Sequence, residues 1–237
     1  MNRLAAALAL MACLSQAQAN PLPGPERLAD AAHADWAAIG RVNVAGFGSG
    51  GTCTGTLIAP DLVMTAAHCL YAVKGIARAA PGQVHFLAGW LKGSYAAHRT
   101  AERIYIHPGY EHQAKIDFNN LRSDLAILHL AAPITQVKPI PLSQTAVDAA
   151  PLSLIGYRRD RPNALSRQSG CRVRARQDGV IGLDCTAIPG SSGGPVLAET
   201  PDGWRVIAVV TAANTGPGPV RTVAAPVGMA TLADLLP

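Results

Sequence analysis

The sequence predicts an all-β protein, a barrel or sandwich built from many short strands. Glycine (23) and proline (18) together make up about 17% of the 237 residues, above an average share of roughly 12%, which suits a chain with frequent turns. Apolar residues have the spacing of a helix only at residues 226–236, where one short helix is predicted to pack on the barrel. The expected strands are short apolar segments between Gly, Pro and Asp, at residues 39–44, 56–58, 62–65, 84–87, 103–107, 125–130, 152–155, 180–183, 195–197 and 206–210.

The composition excludes several classes of protein. With 49% hydrophobic and 15% charged residues, the chain can fold into one or two packed domains and is not disordered. The formal net charge is +5, but the basic residues are scattered, and aromatic residues make up only 5% of the chain. That is too few for the stacking surfaces of a single-strand binder. We therefore expect no nucleic-acid partner.

Residues 1–19 have the features of a cleaved export signal. Arg3 is followed by an apolar run over residues 4–14, and residues 17–19, Ala-Gln-Ala, form the small-x-small pattern that a signal peptidase cuts. The run is too short to cross a bilayer. The pattern predicts cleavage after Ala19 and a secreted or periplasmic protein without stable membrane insertion, in which disulfides can form.

Cleavage there would remove Cys13, one of five cysteines, and leave an even number. Alternatively, Cys13 is lipidated, since residues 10–13, Leu-Met-Ala-Cys, loosely resemble a lipoprotein box. The next stretch, residues 20–35, contains three prolines and an Ala-rich run but no strand pattern. It is interpreted as an N-terminal arm or a short propeptide.

Three later segments contain the residue types of a nucleophilic hydrolase, in which a serine needs a base and the base needs a carboxylate. Residues 190–195, Gly-Ser-Ser-Gly-Gly-Pro, place Ser192 in a glycine-flanked turn directly before a predicted strand. Glycines allow the backbone to aim the N–H groups of Gly190 and Ser192 at one point where an oxyanion could form. Taken alone, this segment could also be an ordinary Gly-Ser turn.

The base and the carboxylate come from two earlier segments. His68 follows small residues, and its neighbour Cys69 could close a loop back to Cys53 that pins the histidine. Asp124 precedes the strongly apolar run 125–130, where an unpaired carboxylate would be costly. Each also has an ordinary alternative. His68 could be a surface histidine, and Asp124 could cap a turn.

The order His68, Asp124, Ser192 and the letters around these residues resemble the trypsin-like, chymotrypsin-fold serine proteases. The resemblance spans about residue 36 to the C-terminus. Within the family the chain is most similar to the compact bacterial exported branch that includes the glutamyl endopeptidases, whose Cys-Asp-x-x-Pro-Gly-x-Ser-Gly pattern is approximated by residues 185–193. Four blocks match in order, at residues 53–58, 62–69, 124–128 and 190–196.

The resemblance implies two six-stranded antiparallel β-barrels, at about residues 36–138 and 139–237, with the active site in the cleft between them. His68 would be the general base, Asp124 would orient it, and Ser192 would form the acyl-enzyme. The backbone N–H groups of Gly190 and Ser192 would be the oxyanion hole. The resemblance also implies two disulfides, Cys53–Cys69 and, for the remaining pair, Cys171–Cys185.

Several positions depart from the commonest pattern of the family. Ser191 stands where an aspartate receives the new N-terminal amine after a propeptide is cut, so activity is not expected to depend on that ion pair. Thr186, at the base of the specificity pocket, carries no carboxylate and does not support a preference for Arg or Lys. Thr211 and Ala213 would form the pocket wall, with the Ala213 methyl group narrowing it, and Val210 replaces the histidine of glutamyl-specific relatives. Small or medium apolar substrate side chains are therefore expected.

The sequence thus predicts an exported serine endopeptidase that acts on protein or peptide substrates as a monomer. The alternative is a catalytically silent binding protein with the same fold. No Cys-x-x-Cys, His-Glu-x-x-His or Asp-rich calcium loop is present, so no metal and no other cofactor is expected. An α/β-hydrolase esterase is disfavoured, because a strand and not a helix is predicted after Ser192.

Overall fold

A computed structural model describes residues 22–44, 52–71, 77–144 and 151–236. The predicted signal, with Cys13 and the cleavage site after Ala19, lies outside the described residues. The chain forms mostly strands, as predicted: β1 (Glu26–Arg27), β2 (Ile39–Val44), β3 (Thr52–Ala59), β4 (Leu62–Thr65), β5 (Val84–Ala88), β6 (Ala97–Ile106), β7 (Ala126–Leu130), β8 (Leu152–Arg158), β9 (Arg161–Cys171), β10 (Val173–Gln177), β11 (Val180–Leu183), β12 (Pro195–Thr200), β13 (Gly203–Ala213) and β14 (Thr222–Pro226), with the helices α1 (Phe118–Arg122) and α2 (Met229–Leu235).

The first sheet is a closed antiparallel barrel of six strands in the order β2-β3-β4-β7-β6-β5. Val42 pairs with Phe86 and Val63 pairs with Leu128 across neighbouring strands, and all four side chains are buried in the core. Closure leaves this sheet without a free edge. The barrel is therefore a rigid support for the residues at the ends of its strands.

The second sheet has eight strands in the order β1-β9-β8-β12-β13-β14-β11-β10 and is not closed by hydrogen bonds. β9 ends at Cys171 and β10 begins at Val173, so the two act as one long strand that bends at Arg172 and joins the two sides of the sheet through the chain. Counted in this way, and without the added β1, the sheet has the six strands that the resemblance implies. At the bend the two sides of the sheet are joined by the chain and not by hydrogen bonds between strands. The sheet is therefore a half-barrel.

The N-terminal arm differs from its prediction, because it contains a strand. The two residues of β1 pair antiparallel with Ser166 and Arg167 of β9, and the Leu28 N–H donates to the Leu165 carbonyl at 2.9 Å. Two exposed residues are too short a run to show an alternating pattern, so the sequence carried no signal for this strand. The arm therefore belongs to the second sheet.

The C-terminal helix α2 is confirmed. Leu235 is buried and Leu232 packs against the core, whereas Met229 at the start of the helix is 54% exposed. The apolar spacing of the tail thus predicted a helix with one face on the core. Neither helix in the described residues has the length and apolar character that a membrane crossing requires.

Two disulfides are present. Cys53–Cys69 joins β3 to the turn that carries His68, and Cys171–Cys185 joins the end of β9 to the segment after β11. Loops of this length give about 3 kcal/mol of stabilisation each in the chain-entropy model.

The cysteine pattern predicts the thiol content of the mature protein. After denaturation we expect no free thiol, and after reduction the intact mass should rise by the four hydrogens of two disulfides. Thiol titration and mass spectrometry, each with and without a reductant, measure this directly. One reactive thiol would show either that Cys13 is retained or that one of the two pairs is not formed.

Candidate active site

His68 lies in a tight 3₁₀ turn, Ala67–Leu70, at the end of β4. Ala66 and Ala67 are completely buried, so the turn lies close against the barrel. The disulfide from Cys69 fixes the turn to β3. The position of the imidazole is thus set by the barrel and by a covalent bond.

Asp124 holds His68 through two hydrogen bonds. Asp124 Oδ2 is 2.6 Å from His68 Nδ1, and Asp124 Oδ1 accepts from the His68 backbone N–H at 2.8 Å. Asp124 is only 4% exposed and directly precedes the buried Leu125. A buried carboxylate is costly unless it has partners, and here both oxygens have one. The carboxylate therefore fixes both the ring and the backbone of the histidine.

This pairing changes the pKa of His68. Burial disfavours the imidazolium and alone would lower the pKa, but the hydrogen bond and the negative charge of Asp124 outweigh it and raise the pKa above 6.5. Because the folded pKa is the higher one, the stability from this pair is fully present below the unfolded pKa and is lost as pH rises through the folded pKa. At higher pH a neutral ring that keeps its proton on Nδ1 has an unprotonated Nε2; this atom lies 3.7 Å from Cys69 Sγ, which is in a disulfide and has no proton to donate.

Three rings that sequence analysis did not single out lie near the His68–Asp124 pair. The Tyr71 and His112 rings stack with centroids 3.7 Å apart, and the Tyr110 ring lies 6.3 and 6.4 Å from them. Burial first, and then the charges of Asp124 and Tyr71, raise the pKa of Tyr110, so its phenol stays neutral. The rings come from two loops that are distant in sequence, and no local pattern could reveal their contact.

Ser192 lies in a tight turn directly before β12. The Gly194 N–H donates to the Ser191 carbonyl at 2.9 Å and closes the turn. Gly190 and Gly193 have φ angles of +100° and +76°, in the region that favours glycine. The glycines that flank the serine are therefore required by the backbone of this turn.

The N–H groups of Gly190 and Ser192 are oriented by the carbonyls of their own peptide units. The Pro189 carbonyl accepts from the Arg159 N–H at 2.7 Å, and the Ser191 carbonyl is the one that closes the turn. In a trans peptide the N–H points away from the carbonyl, so both N–H groups face away from these partners. Neither donates to another residue in the described part of the chain. Both N–H groups can thus bind an oxyanion.

Thr54 of β3 connects the serine turn to the first barrel. Its N–H donates to the Ser192 carbonyl and its hydroxyl donates to the Gly190 carbonyl, both at 2.8 Å. The neighbouring Cys53 is bonded to the turn that carries His68. These links attach both the serine turn and the turn that carries His68 to the same strand, β3. Sequence analysis included Thr54 in a matching block but did not predict its role.

The residues predicted for the specificity pocket belong to the second half of the chain. Thr186 is half-buried, and its N–H donates to Gln168 Oε1 at 2.8 Å. Thr211 is buried in β13 with its hydroxyl donating to the Val223 carbonyl at 3.3 Å, and Ala213 is exposed at the end of that strand. None of the three predicted residues is charged; the charge that contacts Thr186 is the Arg158 guanidinium, which donates to the Thr186 carbonyl at 3.4 Å.

Ser191, the position that departs from the family pattern, is 1% exposed. Its hydroxyl oxygen accepts from the Ile188 N–H at 3.4 Å. A neutral hydroxyl needs no counter-charge when it is buried, whereas an aspartate would. No N-terminal ammonium group is therefore needed to balance a charge at Ser191, and the independence of activity from such a group stays a prediction.

Among the described residues, one group of three potential metal ligands lies close together, formed by Cys53, His68 and Cys69. The two sulfur atoms are bonded to each other and cannot bind a metal as thiolates. The group is therefore part of the candidate active site and not a metal centre.

Comparisons with known proteins agree with the fold described above. A family model described as trypsin matches residues 29–233. The structure is similar to that of a Glu endopeptidase in complex with MPD, with a TM-score of 0.71 and 19% identity over 89% of this chain and 94% of the other. It is also similar to the protease Anisep from Arthrobacter nicotinovorans, with a TM-score of 0.65 and 19% identity over 90% and 98%. At this identity the two likenesses show the fold alone. Curated proteins gave no match.

Proposed function

Because the chain belongs to the trypsin family of serine proteases and is a serine endopeptidase, we propose that His68, Asp124 and Ser192 are its catalytic triad. The observation that carries this proposal is that the buried Asp124 carboxylate forms two hydrogen bonds with His68, one with its ring and one with its backbone N–H. The link from Thr54 to the Ser192 carbonyl supports it, because it draws the serine turn against the barrel that carries the other two residues.

In the proposed reaction, Ser192 Oγ attacks the carbonyl carbon of the scissile peptide bond while His68 Nε2 takes the hydroxyl proton. Asp124 Oδ2 keeps the other ring proton on Nδ1 and stabilises the imidazolium. The negative oxygen of the tetrahedral intermediate is bound by the Gly190 and Ser192 N–H groups. His68 then gives its proton to the leaving amine, the C–N bond breaks, and an acyl-enzyme remains. Water, deprotonated by His68 Nε2, then attacks the acyl carbon, the C–O bond to Ser192 breaks, His68 returns the proton to Ser192 Oγ, and the acid product leaves.

The enzyme is proposed to act outside the cytoplasm. The predicted signal at residues 1–19 supports export, and two disulfides are typical of an oxidising compartment. N-terminal sequencing of the exported protein is expected to begin at Asn20. A lipid-modified Cys13 at the N-terminus would instead show anchoring.

A serine-directed fluorophosphonate probe tests the triad. The wild-type protein is expected to be labelled at Ser192, and Ser192→Ala is expected to abolish labelling while thermal unfolding is unchanged. Ser94→Ala, at an exposed hairpin serine, is the matched control and should label as the wild type does. Folded wild-type protein that is not labelled would instead support the silent binding protein.

The specificity proposed for the pocket is for small or medium apolar side chains. Support comes from the uncharged Thr186, from the methyl group of Ala213, and from Val210, which is buried in the core of the second sheet and offers no charge. One methyl or methylene group more or less in such a pocket changes the preference between two substrates by roughly 10- to 200-fold.

Cleavage of a peptide library measures this specificity. We expect cuts after residues such as Ala, Val and Leu. In Ala213→Gly, the ratio of cleavage after Phe to cleavage after Ala should rise by roughly tenfold. Dominant cleavage after Arg or Lys would contradict the proposal. Dominant cleavage after Glu would also contradict it and would assign the specificity named for the Glu endopeptidase of similar structure.

A further inference from the structure

Gln168 connects the N-terminal arm to the base of the predicted specificity pocket. Gln168 Oε1 accepts from the Thr186 N–H at 2.8 Å, and Gln168 Nε2 donates to the Pro23 carbonyl at 2.7 Å. The side chain is 3% exposed. Both partners fix the orientation of the amide, because a flipped group would place donor against donor and acceptor against acceptor.

The arm is held in place along β9 on both sides of this contact. Leu22 packs on the core of the second sheet, with its Cδ1 atom close to Gly170. Further along, β1 pairs with β9, and the Leu165 N–H donates to the Nε2 atom of the buried His33 at 3.2 Å. The Pro23 carbonyl is therefore a fixed acceptor and not the end of a loose tail.

From this geometry we propose that Gln168 is a positioning residue and that residues 22–23 of the arm act through it to hold the base of the substrate pocket. The arm is then a permanent part of the active enzyme and not a propeptide. This inference rests on the proposed function, in which Thr186 lies at the base of the pocket.

The expected effect is on substrate binding and not on the chemical step. Thr186 would contact the substrate side chain equally in the ground state and in the transition state, so loosening it raises KM and leaves kcat unchanged. The oxyanion N–H groups and Ser192 are held separately, by Arg159 and Thr54. Their geometry should therefore survive the loss of the arm contact.

Two changes test the link, each compared with the mature chain that begins at Asn20. One is a chain that begins at Gly24, which lacks Leu22 and Pro23 but keeps β1 and the hydrogen bond between Gln168 and Thr186. The other is Gln168→Met, which removes both hydrogen bonds at similar volume. Each is expected to raise KM roughly tenfold with kcat changed less than twofold. Combining them should add nothing to the effect of Gln168→Met, since both act on one connection.

Hydrogen exchange at the Thr186 amide gives a second readout that does not need activity. Its exchange rate should rise at least roughly tenfold in both variants, because its acceptor is loosened or lost. Gln136→Met removes an exposed side-chain hydrogen bond to the Ala96 carbonyl in the first barrel and is the control, with KM and exchange as in the wild type.

The outcomes separate this inference from the proposed function. Unchanged Thr186 exchange in the chain that begins at Gly24, or an unchanged KM, would overturn the role of the arm. If Thr186 exchanged faster in the variants but the fluorophosphonate probe labelled no chain, the link would be supported and the proposed function would be wrong. A loss of kcat with KM unchanged would overturn the proposed role of the arm, since the arm would then act on the catalytic groups.

Discussion

Asp124→Asn is expected to fold normally and to lose roughly 10⁴-fold in kcat. The carboxylate accepts two hydrogen bonds, from His68 Nδ1 and from the His68 backbone N–H. An asparagine has one acceptor atom and one donor atom in this place. If its oxygen keeps the backbone N–H, its amide nitrogen faces Nδ1 and donates to it, which moves the ring proton to Nε2. The ring then cannot accept the proton of Ser192.

The same variant is expected to change the pH dependence of the reaction. In the wild type, kcat/KM should fall as pH drops through the pKa of His68, which Asp124 raises above 6.5. Without the negative charge, burial remains and lowers the pKa, so the acid limb of the residual activity should move to lower pH.

Steady-state kinetics between pH 5 and 9 measure both effects. Asp117→Asn is the matched control, because Asp117 only caps α1, where its carboxylate accepts from the Asn120 N–H at 2.8 Å, and asparagine caps helices equally well. It should change kcat less than twofold. If Asp124→Asn kept wild-type kcat and an unshifted acid limb, Asp124 would not be the group that orients the base.

Sequence patterns could predict the fold class and the three proposed catalytic residues because each of these has a local cause. Short apolar runs between turn residues become strands, a glycine-flanked serine becomes a tight turn, and an aspartate ahead of a buried strand needs a partner. The family resemblance then supplied the order in which His68, Asp124 and Ser192 come together.

The remaining parts of the site are tertiary and have no local signal. Thr54 bonds to a turn more than a hundred residues later in the chain, and Gln168 contacts Pro23 at a similar separation. Tyr71 and His112 stack only because two loops meet beside the cleft. β1 was missed for a related reason, since two exposed residues form a strand only where β9 offers an edge. Contacts of this kind depend on the packed sheets and not on residue spacing.

Gly193→Ala is expected to lower the stability of the fold more than the other substitutions near the site. Gly193 has a φ of +76°, and an added Cβ would overlap the Thr54 carbonyl and the Thr65 hydroxyl and lie 2.9 Å from the Ala66 nitrogen. These atoms belong to the barrel that carries His68, and the first two are hydrogen-bonded to each other at 2.8 Å. Because a shift of either atom alone would strain that bond and both belong to a closed barrel, we expect the serine turn to move instead.

The loss in free energy of unfolding has two parts that can be measured separately. Backbone strain alone costs about 1–2 kcal/mol for a residue with a side chain at positive φ. Gly93→Ala isolates this part, because Gly93 has a φ of +96° and nothing within 4 Å of an added Cβ. Gly193→Ala adds the overlap with the first barrel, and we expect a total above about 4 kcal/mol, a loss typical of an overpacked core.

Urea unfolding and the rate of fluorophosphonate labelling distinguish the two variants. Gly93→Ala should be destabilised slightly and label at the wild-type rate. Gly193→Ala should be much less stable, and its folded fraction should label at least roughly 10²-fold more slowly, because a shift of about 1 Å misplaces Ser192 relative to His68. Equal stability of the two variants, together with wild-type labelling of Gly193→Ala, would show that close contact of the serine turn with Thr54 is not what positions the nucleophile.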